Sequence, residues 1–340
     1  MMTGIAVVGA GHWGPHLIRN FSDHPQSEVL WVIDRSPERL KQVGQRFRSV
    51  SLSGQLDDAL NDDRVDAVIV ATPTATHHDV VLTALDAGKH VLVEKPIATS
   101  VAHARAMVEL AEGRRLTLMV GHVFLFNPAI LAAKEIIRSG EAGAVYYLSM
   151  TRTNLGPVRT DVNAAWDLAS HDISIANDWL DSVPVKVSAT GGSWLNKGVE
   201  DAVFATLRYQ SGVVVQVHAS WLNPRKSRMI TVVGSKKMLT VDDMDLNEPL
   251  RLYDKGVEEA GDFTDTFAAF RASIREGTIT IPRIGVGEPL RAECESFLTR
   301  LRGDTQSTSD GRAGLGVVCV LEAIDASLAT GGGEIEVAQP

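Results

Sequence analysis

Two short segments carry side chains that could move a proton. In Glu94-Lys95-Pro96, a carboxylate and an amine directly follow the apolar run that begins at His90. A lysine at such a strand end can hydrogen-bond a substrate hydroxyl and help its proton leave, the more so where desolvation lowers its pKa. The Lys95-Pro96 bond is a candidate for a fixed or cis geometry that aims the lysine, although trans is the commoner state. The bland alternative is a surface ion pair. In the second segment, Asp167 precedes His171 by one helical turn, so carboxylate and imidazole share a helix face. The acid would then orient the ring or raise its basicity, and the ring could accept an alcohol proton. Taken alone, Asp-x-x-x-His on an amphipathic helix is more often structural.

Chemistry of this kind needs an electron acceptor, and the N-terminus supplies a site for one. The apolar run from Thr3 leads into Gly9-Ala-Gly-His-Trp-Gly14, a Gly-x-Gly-x-x-Gly turn. Gly9 permits the tight turn, Gly11 lets the backbone approach a pyrophosphate, and Gly14 lets the next helix sit close with its N-terminus aimed at the phosphates. His12 and Trp13 complete the turn and count with it as cofactor-side residues. The next apolar run ends on Asp34, 20 residues after Gly14, where a carboxylate can accept hydrogen bonds from ribose hydroxyls. That carboxylate would repel a 2'-phosphate, which favours NAD over NADP. Arg35 beside it could accommodate the phosphate or stack on adenine.

Two further stretches could border ligands. Thr72-Pro73-Thr74, at a strand's carboxyl end, would flank the cofactor, with His77 opening the next helix; an ordinary Thr/Pro helix start is the alternative. Between Arg152 and Trp166, Arg152, Asn154, Arg159, Asp161 and Asn163 crowd a segment punctuated by glycine and proline. Guanidinium groups grip phosphate or carboxylate, and amides serve sugar hydroxyls, although a solvated loop has the same composition. His12, His16, His78 and His103 show no zinc-ligand spacing, so no metal is expected.

The elements that must position these residues alternate. After the fingerprint come a helix from about Pro37 to Phe47, a strand over 67–71, a helix from Thr76 to about Ala87, a strand over 90–94, a helix over roughly 100–111 and a strand over 117–121. This is βαβ logic and, with the strand over 67–71 counted as the fourth, it completes a six-stranded parallel sheet within about 120 residues. A Rossmann domain is therefore expected over 1–121. Beyond it, β-rich runs at 145–153, 185–190, 201–209, 213–221 and 228–233 suit a largely antiparallel open sheet, with a hairpin at Gln210-Ser-Gly212. Helices are expected at about 128–139, 165–180, 263–276, 289–302 and 314–329, and Gly331-Gly-Gly333 reads as a helix stop before a short terminal strand or tail. The fold class is α/β, with a Rossmann dinucleotide-binding domain followed by an α+β substrate-binding and oligomerisation domain over 122–340.

At 340 residues and 44% hydrophobic, the chain can bury a full core and fill two domains. Its net charge of −9 with no basic stripe argues against a nucleic-acid partner. Neither a basic leader before the first apolar run nor an apolar stretch of about 18 residues is present, so a cytoplasmic protein without membrane contact is expected. Cys294 and Cys319 lie in apolar helical patterns and read as buried free thiols. In the run Val213 to Trp221, Val213, Val215, Val217, Ala219 and Trp221 share one face, and Val214, Gln216, His218 and Ser220 share the other. The second, semi-polar face suits a homodimer or homotetramer formed through the sheet.

The glycine fingerprint, the Thr-Pro turn and Glu94-Lys95-Pro96 together resemble the Gfo/Idh/MocA family of sugar and cyclitol oxidoreductases, over essentially the whole chain. Arg19-Asn-Phe21, Phe124-Leu-Phe-Asn-Pro128, Arg152-Thr-Asn-Leu-Gly-Pro157, Trp166-Asp-Leu-Ala-Ser-His-Asp172, Glu288-Pro-Leu-Arg-Ala-Glu-Cys294 and Ser309-Asp-Gly311 are most similar to its nucleotide-sugar 3-dehydrogenase branch, of the UDP-N-acetylglucosamine and UDP-N-acetylglucosaminuronate type. The resemblance implies catalytic roles for Lys95, His171 and Asp167. It also implies cofactor contacts from Glu94 and Lys95, and a substrate site that adds Asn127 and Trp166. The activity implied is NAD-dependent hydride transfer at a secondary alcohol or ketone. Inositol, sugar-phosphate or aminocyclitol dehydrogenation is the first alternative, and a non-catalytic sensor of NAD(P) and sugar is the second.

Overall fold

The computed structural model describes residues 2–257, 274–275, 277–303 and 308–340, and the chain divides into two compact units. The first comprises residues 1–126, 287–322 and 339–340. Its sheet has six strands: β1 (Thr3–Val8), β2 (Ser27–Ile33), β3 (Ser51–Ser53), β4 (Ala67–Val70), β5 (His90–Glu94) and β6 (Leu118–Gly121). They run in the order β3-β2-β1-β4-β5-β6, all parallel. Strands buried on both faces read as unbroken apolar runs, as Ala67–Val70 does with every residue buried. β3 is short and largely exposed, and so carries no such signal.

Helices α1 (Gly14–Asp23), α2 (Pro37–Arg46), α3 (Leu56–Leu60), α4 (His77–Asp86) and α5 (Val101–Arg114) connect these strands. Proline sits in the first turn of α1 and of α2, where its missing N–H costs nothing. The Ser36 hydroxyl caps α2 and the Ser100 hydroxyl caps α5. Two later helices belong wholly or partly to this unit: α8 (Pro289–Arg300), and α9 (Gly311–Ala329) as far as Glu322. Leu290, Cys294, Phe297 and Leu298 of α8 join Leu17, Ile18 and Phe21 of α1 in one core, with the Phe21 and Phe297 rings edge to face, centroids 6.3 Å apart. The parallel sheet ends with β6 at Gly121, while the apolar face of α1 is completed from far along the chain.

The second unit comprises residues 127–286 and 323–338. It holds α6 (Pro128–Arg138), α7 (Ser170–Leu180) and a nine-stranded sheet built from β7 (Val145–Leu155), β8 (Lys186–Gly192), β9 (Ala202–Arg208), β10 (Val214–Ser220), β11 (Leu222–Gly234), β12 (Met238–Asp242), β13 (Leu250–Tyr253), β16 (Ile279–Thr280) and β17 (Ile335–Glu336). A two-stranded pair joins β14 (Gly256–Val257) to β15 (Ile274–Arg275). The large sheet is mostly antiparallel, but β10 and β7 pair in parallel. The hairpin at Gln210–Gly212 forms as expected, with Gly212 at φ 86°. The helix expected over 263–276 falls mostly outside the described residues, and its end, Ile274–Arg275, is strand.

The sheet faces segregate along β10. Val213, Val215, Val217, Ala219 and Trp221 are all buried, whereas on the other face Gln216 is exposed, Val214 and His218 are half-buried and only Ser220 is buried. Between β7 and α7, Ala165–Ala169 form a π turn. Such turns occur mostly as single insertions within helices, frequently at functional sites.

Candidate active site

In the first unit the fingerprint turn is sterically determined. Gly9 has φ +99°, and a Cβ there would overlap the Ala71 carbonyl, while a Cβ on Gly14 would overlap the carbonyl of Gly9. Gly11 differs: the nearest atom to a Cβ added there is a guanidinium nitrogen of Arg39, at 4.0 Å. The space a side chain would fill is thus open beside the N-terminus of α1, whose N-cap residue Trp13 makes no side-chain cap. His12 and Trp13 are exposed, and their rings meet edge to face with centroids 5.8 Å apart.

Asp34, at the end of β2, is 8% exposed. One carboxylate oxygen accepts the Ala10 N–H at 2.7 Å and the other accepts the Ser36 N–H at 2.8 Å. A guanidinium nitrogen of Arg39 lies 3.7 Å from it. Arg35, the expected basic neighbour, is exposed, and Arg39 one turn into α2 is the cation beside Asp34 that sequence reasoning missed. Its signal was its place four residues before Val43, the buried residue of α2. The open space at Gly11, the α1 N-terminus and the acid at β2 fit a dinucleotide with free ribose hydroxyls.

At the carboxyl end of β4, the Thr76 hydroxyl donates to Thr72 Oγ1 or the Pro73 carbonyl, each at 2.8 Å, closing the turn that holds Thr74. His77 is 1% exposed. Its Nδ1 lies 3.0 Å from the Pro96 carbonyl oxygen and its Nε2 lies 2.9 Å from that of Thr72, so the ring expected to border the cofactor is engaged by the chain's own backbone.

Lys95 follows β5 and its bond to Pro96 is cis. Around it the unit gathers buried titratable groups. Burial pushes the Glu94 carboxyl up to about 7, with the Lys95 charge opposing. His122, directly after β6, is 1% exposed, and neither ring nitrogen has a hydrogen-bond partner among the described residues. Burial, aided by the Lys95 charge, lowers its pKa to about 3, so the ring is neutral. Glu293 of α8 is also 1% exposed with both carboxyl oxygens unpartnered among the described residues, and burial together with the nearby Glu94 charge raises it well above the ordinary carboxyl range. His122 and Glu293 were not foreseen, although Glu293 lies among Leu290, Cys294 and Phe297 at helical spacing.

In the second unit, Asp167 lies within the π turn and His171 in the first turn of α7, so their spacing crosses a change of helix type. Asp167 accepts the indole N–H of the fully buried Trp221 at 3.0 Å, and Arg159 lies 3.3 Å from its other oxygen. The expected ligand-reading loop is largely tied into the protein. Arg159 forks onto Asp161 at 2.9 and 2.6 Å. The Asn163 amide donates to Asp325 at 2.8 Å, its oxygen caps the π turn at Ala165, and the Trp166 indole donates to the second Asp325 oxygen at 2.7 Å. Asn127 caps α6 and donates to Asp243 at 2.8 Å.

The Arg152 guanidinium, 5% exposed, meets the Asp172 carboxylate at 2.8 to 3.1 Å in a buried ion pair. Asn154, two residues on, is half-buried. On the opposite face, Ser149, Thr151, Phe204, Thr206, Gln216 and His218 line a shallow depression of about 310 Å³, with the Phe204 and His218 rings stacked 4.4 Å apart.

No group of acidic, His and Cys side chains among the described residues could hold a metal ion, and no described helix is long and apolar enough to cross a membrane.

Comparison with known proteins gives the same frame. Residues 3–122 match the oxidoreductase family with an NAD-binding Rossmann fold, and residues 130–240 match the GFO/IDH/MocA C-terminal domain. UDP-N-acetylglucosamine 3-dehydrogenase of Acidithiobacillus ferrooxidans is 28% identical over 315 residues, 92% of this chain and 93% of that protein. Its solved structure superposes with a TM-score of 0.83 over 97% of this chain and 99% of that one, at 25% identity. GenD2 from gentamicin A biosynthesis, in complex with NAD, is 26% identical with a TM-score of 0.80, covering 99% and 97%. The scyllo-inositol 2-dehydrogenase (NAD⁺) of Bacillus subtilis is 30% identical over 230 residues, 64% of this chain and 67% of that protein. With an NAD-binding parallel sheet, a lysine at its carboxyl edge and both family domains matched in order, the chain belongs to the Gfo/Idh/MocA family of oxidoreductases.

Proposed function

We propose that this protein interconverts a secondary alcohol and a ketone on a sugar, with C3 of a nucleotide sugar as the substrate position. The observation that carries the reading is the station of Lys95, at the carboxyl end of β5 on the same sheet edge as the fingerprint turn, with the half-buried Glu94 and the buried His122. Similarity to UDP-N-acetylglucosamine 3-dehydrogenase across 92% of the chain supports the substrate class.

Bound NAD would accept a hydride from the carbinol carbon, held by Gly9, Gly11, Gly14, Asp34 and the Thr72 to Thr74 turn. In the oxidising direction the hydroxyl proton passes to Lys95 or His171 as the C–O bond gains double-bond character, and in the reducing direction the same groups return it. Asp167, held by Trp221 and Arg159, stands one turn before His171. Arg159, Asn154 and Asn163 stand as substrate-side residues, with Asp161, Trp166 and Asn127 supporting them. Arg152 acts through Asp172. The protein works in the cytoplasm as a homodimer or homotetramer, with the Gln216 and His218 face of the sheet between subunits.

Screening sugar nucleotides, free sugars, sugar phosphates and inositols for change in reduced-nicotinamide absorbance, with NAD and NADP, tests the reading. Turnover with sugar nucleotides and NAD is expected. Turnover confined to inositols would select the reading favoured by the inositol-dehydrogenase relative. Binding of NAD with no absorbance change for any member of the panel would overturn the enzymatic reading in favour of a sensor.

A further inference from the structure

The buried stripe of α4 consists of His77, Val81, Ala84 and Leu85, the i, i+4, i+7, i+8 spacing of a helix face laid on a sheet. Three members are apolar. The fourth, His77, is 1% exposed and stands at the end of the stripe nearest the carboxyl edge. A buried imidazole needs partners for two ring nitrogens, and here both come from turns that the sheet itself does not join. Nδ1 is 3.0 Å from the carbonyl oxygen of Pro96, which belongs to the turn after β5, and Nε2 is 2.9 Å from the carbonyl oxygen of Thr72, which belongs to the turn after β4.

Each turn is itself fixed to a part of the proposed machinery. Thr72 is pressed against the fingerprint turn, since a Cβ on Gly9 would fall 2.9 Å from its backbone nitrogen. Pro96 follows Lys95 directly. A continuous line of close contacts therefore runs from the dinucleotide turn through Thr72 and His77 to the lysine turn, all within the first unit.

We propose that His77 is a positioning residue, a strut whose two ring nitrogens fix the cofactor-side turn at Thr72 against the turn that carries Lys95. The inference deepens the dehydrogenase reading and rests on Lys95 being the proton-handling group. A neutral ring has one N–H and donates to one carbonyl at a time, whereas the charged ring donates to both. Burial favours the neutral ring and the surrounding carbonyls favour the charged one. The charged ring ties the two turns by hydrogen bonds to both, and the neutral ring bonds one and holds the other by packing alone. A leucine of similar bulk would fill the space but donate to neither carbonyl, leaving buried acceptors without the ring's N–H.

The test uses the whole protein and requires no sugar. The rate at which acetic anhydride acetylates Lys95 would be followed against pH by mass spectrometry, and NAD affinity by quenching of tryptophan fluorescence. In His77→Leu we expect the Lys95 acetylation rate at neutral pH to change by about tenfold, the factor equivalent to roughly 1.4 kcal/mol, and NAD to bind about three- to tenfold more weakly. His77→Asn keeps a donor where Nδ1 faces Pro96, so it should restore the Lys95 profile better than His77→Gln, whose donor falls where Nε2 faces Thr72. A folded His77→Leu variant with wild-type Lys95 reactivity overturns the strut. So do identical Lys95 profiles for the Asn and Gln variants if the leucine variant does not fold. Failure of every sugar to react would overturn the dehydrogenase reading and leave both of these measurements standing.

Discussion

The carboxylate of Asp34 receives the backbone N–H of Ala10 at 2.7 Å, which ties the end of β2 to the middle of the glycine turn. The same side chain has its second oxygen on Ser36 and faces the guanidinium of Arg39. It both shapes the cradle and sets its charge.

Asp34→Ala should therefore weaken NAD by about tenfold and improve NADP relative to it. The substitution removes a hydrogen bond to the turn and the repulsion of a 2'-phosphate while leaving Arg39 and Arg35 in place. Fluorescence titration with both cofactors measures it, and an unchanged NADP/NAD ratio would mean that Asp34 does not read the ribose.

Lys95→Ala should lower kcat by about 10²-fold or more with little effect on NAD affinity, since the amine is assigned to the substrate hydroxyl. Steady-state rates alongside a binding titration separate the two effects. A variant with wild-type kcat removes Lys95 from the chemistry.

His171→Asn should slow the chemical step and erase one limb of the pH–rate profile. If only thermal stability falls and the profile keeps both limbs, the histidine is structural.

Glu94 gives a pH dependence of stability with a definite sign. Its folded pKa, about 7, lies above the ordinary value of 4.5, so between these values the folded protein holds the proton more tightly than the unfolded chain. The contribution is fully present below about 4.5 and is lost as pH rises through 7. Glu94→Gln should flatten that fall, as read from urea midpoints at pH 5, 6, 7 and 8; parallel curves for the two proteins would refute the shift.

Light scattering at micromolar concentration should report a dimer or tetramer, and a charged substitution at Gln216 or Phe204, both exposed on the open sheet face, should lower the mass. A monomeric wild type refutes assembly through that face.

The parts most legible in the sequence were those where one residue type answers one steric demand. Gly9 and Gly14 are readable because no side chain fits there, and β4 because a strand covered on both faces must be apolar throughout. Less legible was anything that depends on which partner arrives from elsewhere. Arg152 read as a ligand-gripping residue by its loop composition, yet Leu148 and Met150 before it are buried at the same alternation, which puts its guanidinium inside with Asp172. The Asp167 to His171 spacing was read as plain helix because a π turn leaves no periodic mark in five residues. β3, exposed at the sheet edge, and the short strands β12 and β13 offered too few residues for a pattern.

The pairing of Phe21 with Phe297 has a consequence for how the chain is made. During translation the nucleotide-binding half emerges first, yet the apolar face of α1 waits for a helix encoded some 270 residues later. Until α8 leaves the ribosome, Leu17, Ile18 and Phe21 lack part of their cover. Residues 127–286 of the β-rich unit are thus synthesised before the first half can close, so the nascent N-terminal segment keeps apolar surface uncovered meanwhile, and a stop codon before Pro289 should yield a fragment with an open core.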